Sequence, residues 1–171
     1  MLQSVPTSQL QHPVIRAGFV ETASDNPLIQ FAGSIGGSHA LVIAPNGLDL
    51  MCSLLRQGCS AATMLRLADR PELKAYDLVL APHVTSAVQI GRLVYQAKRA
   101  ILPTGRFLAY VPNEADDPED DVGGLLARTL RLAGFASVWS KIVLDGLAVR
   151  ADVGLQEWPS ALQSLVIRRQ A

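Results

Sequence analysis

Between Tyr76 and Pro112 the chain reads YDLVLAPHVTSAVQIGRLVYQAKRAILPTGRFLAYVP. An apolar run, a short turn, a helical stripe, a turn at Pro103-Thr104-Gly105 and a second apolar run follow in that order. Ala87, Ile90, Val94, Ala97 and Ile101 recur at helical spacing, and Arg92, Gln96 and Arg99 fall on the other face. The pattern predicts a strand over 77–81, a helix over 86–101 with Thr85 or Ser86 as N-cap, and a strand over 107–111. Two parallel strands joined this way form a right-handed βαβ unit, which commits the chain to an open α/β sheet with helices on its faces.

The remaining segments extend the same rhythm. Ala40-Leu-Val-Ile-Ala44 reads as a buried strand, Pro45-Asn46-Gly47 as a turn, and residues 48–57 as a helix stopped by Gly58. A strand over 62–67 comes next. Val122, Leu125, Leu126, Thr129, Leu130 and Ala133 form an inward helical stripe that ends at Gly134. Residues 135–144 and 147–153 flank Asp145-Gly146, a hairpin signal. The expected class is therefore α/β, a reduced and mostly parallel sheet with a C-terminal antiparallel hairpin. At 171 residues, one domain with one core is expected. Residues 1–38 are assigned to a lead segment that wraps the domain, with a short strand at Val14–Val20; residues 39–153 form the domain. Residues 154–171 form a tail with a helix from Pro159 to Arg169.

Composition limits the functional classes. Fifteen Lys+Arg balance fifteen Asp+Glu, so no global field favours nucleic acid, and nucleic-acid binding is unsupported. Charged residues make up 18% against a usual share of about 25%, which leaves apolar surface and points to a homo-oligomer or a protein partner. No apolar run reaches the ~18 residues of a membrane span, and residues 1–13 lack a basic start and an apolar core; the expectation is a cytoplasmic protein without membrane contact. Cys52 and Cys59 stand seven apart with no CxxC, the pattern of buried free thiols.

The segment Asp77-Leu-Val-Leu80, the run Lys98-Arg-Ala-Ile-Leu-Pro-Thr-Gly-Arg106 before a strand, and the hairpin after Gly134-Phe135 resemble the class I S-adenosylmethionine (SAM) methyltransferases. The resemblance covers about Ser38 to Val153 and implies a Rossmann-like fold. It also implies a cofactor loop after strand one, with an acidic residue followed by close-set glycines. Here Ile43 or Ala44 holds the acidic position, Gly47 alone represents the glycines, and Pro45 removes an amide donor. The residues that the resemblance assigns to SAM are Asn46, Gly47, Asp69 after strand two, and Pro82 in Ala81-Pro82-His83-Val84. His83 is the candidate general base, an imidazole titrating near neutrality on a strand-end loop. Beside each stands a structural alternative: a common Asn-Gly turn, a turn or cap carboxylate, and a capping histidine. Gly33-Ser-Ile-Gly-Gly-Ser38 precedes its strand, which marks a flexible turn rather than a phosphate loop.

Too few residues lie between Leu67 and Asp77 for a further strand with both crossovers, so the sheet is expected to lack an edge strand of the seven-stranded family. In outline the layout is also similar to the methyltransferase-like domain of the iron–sulfur assembly factor anamorsin, without that family's cysteine-rich part. Two functions follow. One is a degenerate methyltransferase-like domain that binds no cofactor and serves as an interaction, regulatory or assembly module. The other is an active SAM-dependent methyltransferase with an unusual cofactor loop. The six carboxylates from Glu114 to Asp121 lack calcium-loop spacing and read as a solvated loop or a docking segment for a basic partner. No metal site is expected.

Overall fold

The computed structural model describes residues 26–113, 121–143 and 145–154. The possible strand at 14–20, the acidic segment 114–120 and the helix expected over 159–169 lie outside the described residues. The elements are α1 (Pro27–Ala32), β1 (His39–Ile43), α2 (Leu48–Arg56), β2 (Ala61–Leu65), β3 (Tyr76–Ala81), α3 (Ala87–Ala100), β4 (Ile101–Pro112), α4 (Val122–Leu132), β5 (Ser137–Val143) and β6 (Gly146–Asp152). Six strands form one sheet in the order β2-β1-β3-β4-β6-β5. The first four are mutually parallel, and β6 runs antiparallel to both β4 and β5. The expected α/β fold, a mostly parallel sheet with a terminal antiparallel hairpin, is what the chain adopts. Among the described residues no strand lies beyond β2.

Strand side chains alternate between two helical layers, as a period of two requires. Leu41, Ile43, Val79, Ala81, Phe107 and Ala109 point toward α3 and α4, where Ile90, Val94, Ala97, Leu126 and Leu130 complete one core. Ala40, Val42, Leu78, Leu80 and Leu108 point the other way, onto Leu28, Ile29, Leu50 and Leu54 of α1 and α2. Helix α1 falls inside the segment expected only to wrap the domain. Pro27 starts it, and Asn26 caps it by accepting the Leu28 amide at 3.0 Å. Its C-terminal carbonyls and the chain just beyond are then gripped from the sheet: Arg106 donates to Ala32 O and to Ser34 O, and Arg150 to Phe31 O. Six residues are too few to show a helical period, which is why the sequence hides α1.

Four local expectations need correction. The turn at Pro103–Gly105 is an irregularity inside β4: Tyr76 pairs with Ile101, but Leu78 already pairs with Arg106. Gly105 is required there because an added Cβ would lie 2.6 Å from Ile101 Cγ1 and 2.9 Å from Asp77 O. Gln96, placed on the outer face of its helix, is buried and donates from Nε2 to Leu67 O at 2.8 Å. Leu125, placed inward, is 40% exposed, because Gly123, Leu126 and Leu130 are the buried positions of α4. The hairpin loop sits one residue earlier than the Asp145-Gly146 signal suggests, since Val143 pairs with Gly146 and makes Gly146 the first residue of β6. A Cβ at Gly146 would strike Val111 O at 2.5 Å, so close strand approach explains this glycine.

Candidate functional site

In an open α/β sheet, ligands bind at the carboxyl ends of the strands where strand order reverses. Here β1 lies between β2 and β3, so the reversal falls between the loops that leave β1 and β3. Parallel register places those loop starts together: Ile43 pairs with Leu65, and Val42 with Leu80. Asn46 and Gly47 after β1, Asp69 after β2, and Pro82 and His83 after β3 therefore share one sheet end. The sequence candidates are gathered as the fold requires. Their local bonding says what each is doing.

Gly47 precedes α2 with φ −136°, a backbone region open to any residue. What requires glycine is space. A Cβ would lie 2.8 Å from Val42 Cγ1 and 3.3 Å from Met64 Sδ, so the gap is filled by side chains from β1 and β2. Neighbouring Ala44 is buried at 5% exposure, and its amide extends the β1–β2 ladder by donating to Leu65 O at 3.0 Å. Pro45 and Asn46 are exposed. Asp49, in the first turn of α2, is the first carboxylate after β1.

Asp69 closes a local turn. Its Oδ2 accepts the Arg66 amide at 2.9 Å while its own amide donates to Arg66 O at 2.9 Å. The turn is held from α3, where Arg92 donates to Ala68 O at 3.1 Å and Gln96 to Leu67 O. Helical periodicity places both Arg92 and Gln96 on the solvent face, where Arg92 is exposed and Gln96 is not, and only the length of loop 66–74 hints that something must hold it. Pro82 is half-buried and His83 exposed. The chain passes from them to Val84, which is 2% exposed and whose amide donates to Tyr110 O at 2.9 Å.

One polar contact near this sheet end was not foreseen. Tyr110 donates its hydroxyl to Asp145 Oδ1 at 2.6 Å, and Asn113 N donates to Asp145 O at 2.7 Å. The hydrogen bond to a carboxylate, then burial, push the Tyr110 phenol up to about 12, and the same bond pulls the Asp145 carboxyl below its ordinary value. His39 and Cys59 serve structure. His39 packs against Tyr76 with tilted rings whose centroids are 4.7 Å apart, at the opposite end of the sheet, and its amide donates to Asp77 Oδ2. Cys59 is buried with Sγ 3.5 Å from Ile35 O, and burial raises its pKa. Both cysteines are free, and among the described residues no group of three His, Cys, Asp or Glu could hold a metal ion. Nor does any described helix have the length and apolarity to cross a membrane.

The chain matches no protein-family profile and no curated protein sequence. Its fold does match solved structures. An S-adenosylmethionine-dependent methyltransferase from Mesorhizobium loti superposes with a TM-score of 0.60 at 12% identity, over 73% of this chain and 95% of that one. An O-methyltransferase family protein from Burkholderia thailandensis gives 0.61 at 13%, over 77% and 56%. The 1,6-didemethyltoxoflavin-N1-methyltransferase of Burkholderia thailandensis, solved with 1,6-didemethyltoxoflavin and S-adenosylhomocysteine, gives 0.57 at 15%, over 76% and 80%. At such identities the likeness establishes the fold alone: the chain adopts a class I SAM methyltransferase-like fold.

Proposed function

We propose that this methyltransferase-like domain is non-catalytic and acts as an interaction, regulatory or assembly module. The carrying observation is the loop after β1. In this fold a glycine there leaves room for a cofactor, but at Gly47 the room is taken by the core side chain of Val42 and by the partly exposed side chain of Met64. Two further features agree. Buried apolar residues hold the acidic position at Ile43 and Ala44, and the Asp69 carboxylate is engaged by the Arg66 amide rather than turned to a ribose. The residues present do not make a SAM cradle, so no methyl-transfer step is assigned to His83. A cytoplasmic location belongs to the same reading and is checked by cell fractionation.

Calorimetric and thermal titration with SAM and S-adenosylhomocysteine tests the proposal. Stabilisation follows RT ln(1 + [L]/Kd), so a dissociation constant weaker than about 1 mM gives almost no shift at submillimolar ligand. That is the expected outcome. A rise of several degrees in melting temperature at submillimolar SAM overturns it, and would return Asn46, Gly47, Asp69 and Pro82 to the cofactor and His83 to the substrate.

A further inference from the structure

The neutral net charge of the chain conceals a segregation of charge. Loop 66–74, α3 and α4 together carry Arg66, Arg70, Lys74, Arg92, Lys98, Arg99, Arg128 and Arg131, against only Asp69 and Glu72. Neither helix contains a carboxylate. The three segments are contiguous. Lys74 Nζ donates to Lys98 O, Arg92 to Ala68 O, and Lys98 Nζ to Gly134 O just beyond α4. Where Lys74 and Lys98 meet, burial first and then repulsion from Lys74 lower the Lys98 pKa.

This face is open. Arg66, Arg70, Lys74, Arg92, Arg128 and Arg131 are exposed, and none forms an ion pair with a described carboxylate. Between the cations stand exposed apolar side chains: Leu73 at 65%, Val88 at 91%, Tyr95 at 66% and Leu132 at 82%. On α3, Val88, Arg92 and Tyr95 follow the spacing of a single outward stripe, and on α4 Leu125, Arg128 and Leu132 do the same. A basic surface with apolar residues set into it suits an acidic peptide segment, whose carboxylates meet the guanidinium groups while its apolar residues cover the gaps.

The chain carries such a segment. Six of its fifteen carboxylates stand between Glu114 and Asp121, and eight of its fifteen basic residues stand on the helical face. We infer that the basic α3/α4 face is a docking surface for a second copy of this chain, recognised through the acidic segment 114–121. The partner is then of known sequence and complementary charge, and reciprocal exchange between two copies would close a twofold dimer. The inference names the partner of the proposed interaction module and rests on that reading only in expecting the domain to work by docking. Its test does not involve SAM.

The experiment is sedimentation velocity of the full chain at tens of micromolar, at ~50 mM and ~500 mM NaCl. Charge contacts are screened within about 10 Å at 0.1 M salt, so the dimer is expected at low salt and the monomer at high salt. Reversal on the face (Arg128→Glu with Arg131→Glu) and reversal on the segment (Asp116→Lys with Asp117→Lys) each weaken association by roughly tenfold or more. Mixing the two variants restores it, which also shows that both fold. Lys141→Glu, on the far edge strand, changes nothing. A monomer at low salt overturns the inference. So does an association indifferent to salt and to both reversals, which would be apolar or edge-strand pairing. Binding of anionic vesicles or RNA by a face that does not self-associate would likewise assign it to another class of partner.

Discussion

The two flanks of β1 are built differently. On one side β3 and β4 bring Leu78, Val79, Leu80, Phe107, Leu108 and Ala109, each at 1% exposure or less, into the two cores. On the other side β2 holds no buried residue, and Met64 is 38% exposed. Both flanks use the same parallel ladder, so backbone pairing alone does not explain the contrast. What differs is cover: β3 and β4 are packed on both faces, whereas β2 is an edge strand with α2 beside it on one face. Buried side chains are concentrated in β1, β3, β4 and β6, whereas β2, which leads into the Asp69 turn, is thinly covered. A fold can thus be retained while its site diverges.

The contrast breaks most visibly under truncation. Leu108 is fully buried on the α1/α2 side of β4, so Leu108→Ala costs about 3 to 5 kcal/mol through lost burial and a residual cavity. Thr63→Ala, at the middle of β2, stays within about 1 kcal/mol. Urea denaturation gives both values from the shift in midpoint. Equal losses would show that β2 is as firmly built as the centre, and the contrast would fail.

The next effect sits where the two flanks meet. Gly47→Ala inserts a methyl into space held by Val42 and Met64, and overpacking of that kind costs about 1 to 3 kcal/mol. If the space belongs to the core, Val42→Ala relieves the insertion, and the double variant is more stable than the sum of the single losses predicts by about 1 kcal/mol. Additive losses, or a Gly47→Ala protein of unchanged stability, would mean that the loop is open, and the cofactor reading would regain ground.

The sequence disclosed the fold better than the site for a physical reason. The αβ rhythm is written in side-chain periodicity, and β1, α2, β3 and α3 fall within a residue or two of the expected bounds. Helix α1 has no period to show, and its place depends on Arg106 and Arg150 reaching it from strands more than seventy residues away. The site candidates were found because strand ends are readable and topology then gathers them. Their meaning was not readable, because it depends on non-local contacts: Val42 and Met64 at Gly47, or Arg92 and Gln96 on the loop that Asp69 closes. Gln96 shows the limit most plainly, a polar residue at a helical position that periodicity assigns to solvent and that tertiary packing buries.

The two thiols sharpen the comparison on the thin flank. Cys52 is half-buried on α2, whereas Cys59 is buried under the turn that leads into β2, and burial raises its pKa. Thiolate is the reactive form, so at pH 8 a disulfide reagent modifies Cys52 first and Cys59 at least about tenfold more slowly. Equal rates would mean that the α2–β2 connection opens readily and that the thin flank is looser than its hydrogen bonds imply.

The smallest effect belongs to the firm flank, at its outer rim. Tyr110 and Asp145 tie β4 to the hairpin loop, and the phenol is pushed from 10.0 up to about 12. A folded-state pKa above the unfolded one means that the contact stabilises fully below pH 10 and loses its contribution as pH rises from 10 to about 12. Asp145 has the opposite sign: its carboxyl is lowered, so its share is present above the ordinary carboxylate range and disappears as pH falls through it. Absorbance titration near 295 nm should therefore find a phenol that ionises well above pH 10 in the wild-type chain, and Asp145→Asn should bring that step down. Because the pair is solvent-facing, Tyr110→Phe lowers the melting temperature by only a small amount, and that decrement shrinks above pH 10. A titration curve left unchanged by Asp145→Asn would show that the hairpin is not latched to β4 through this bond.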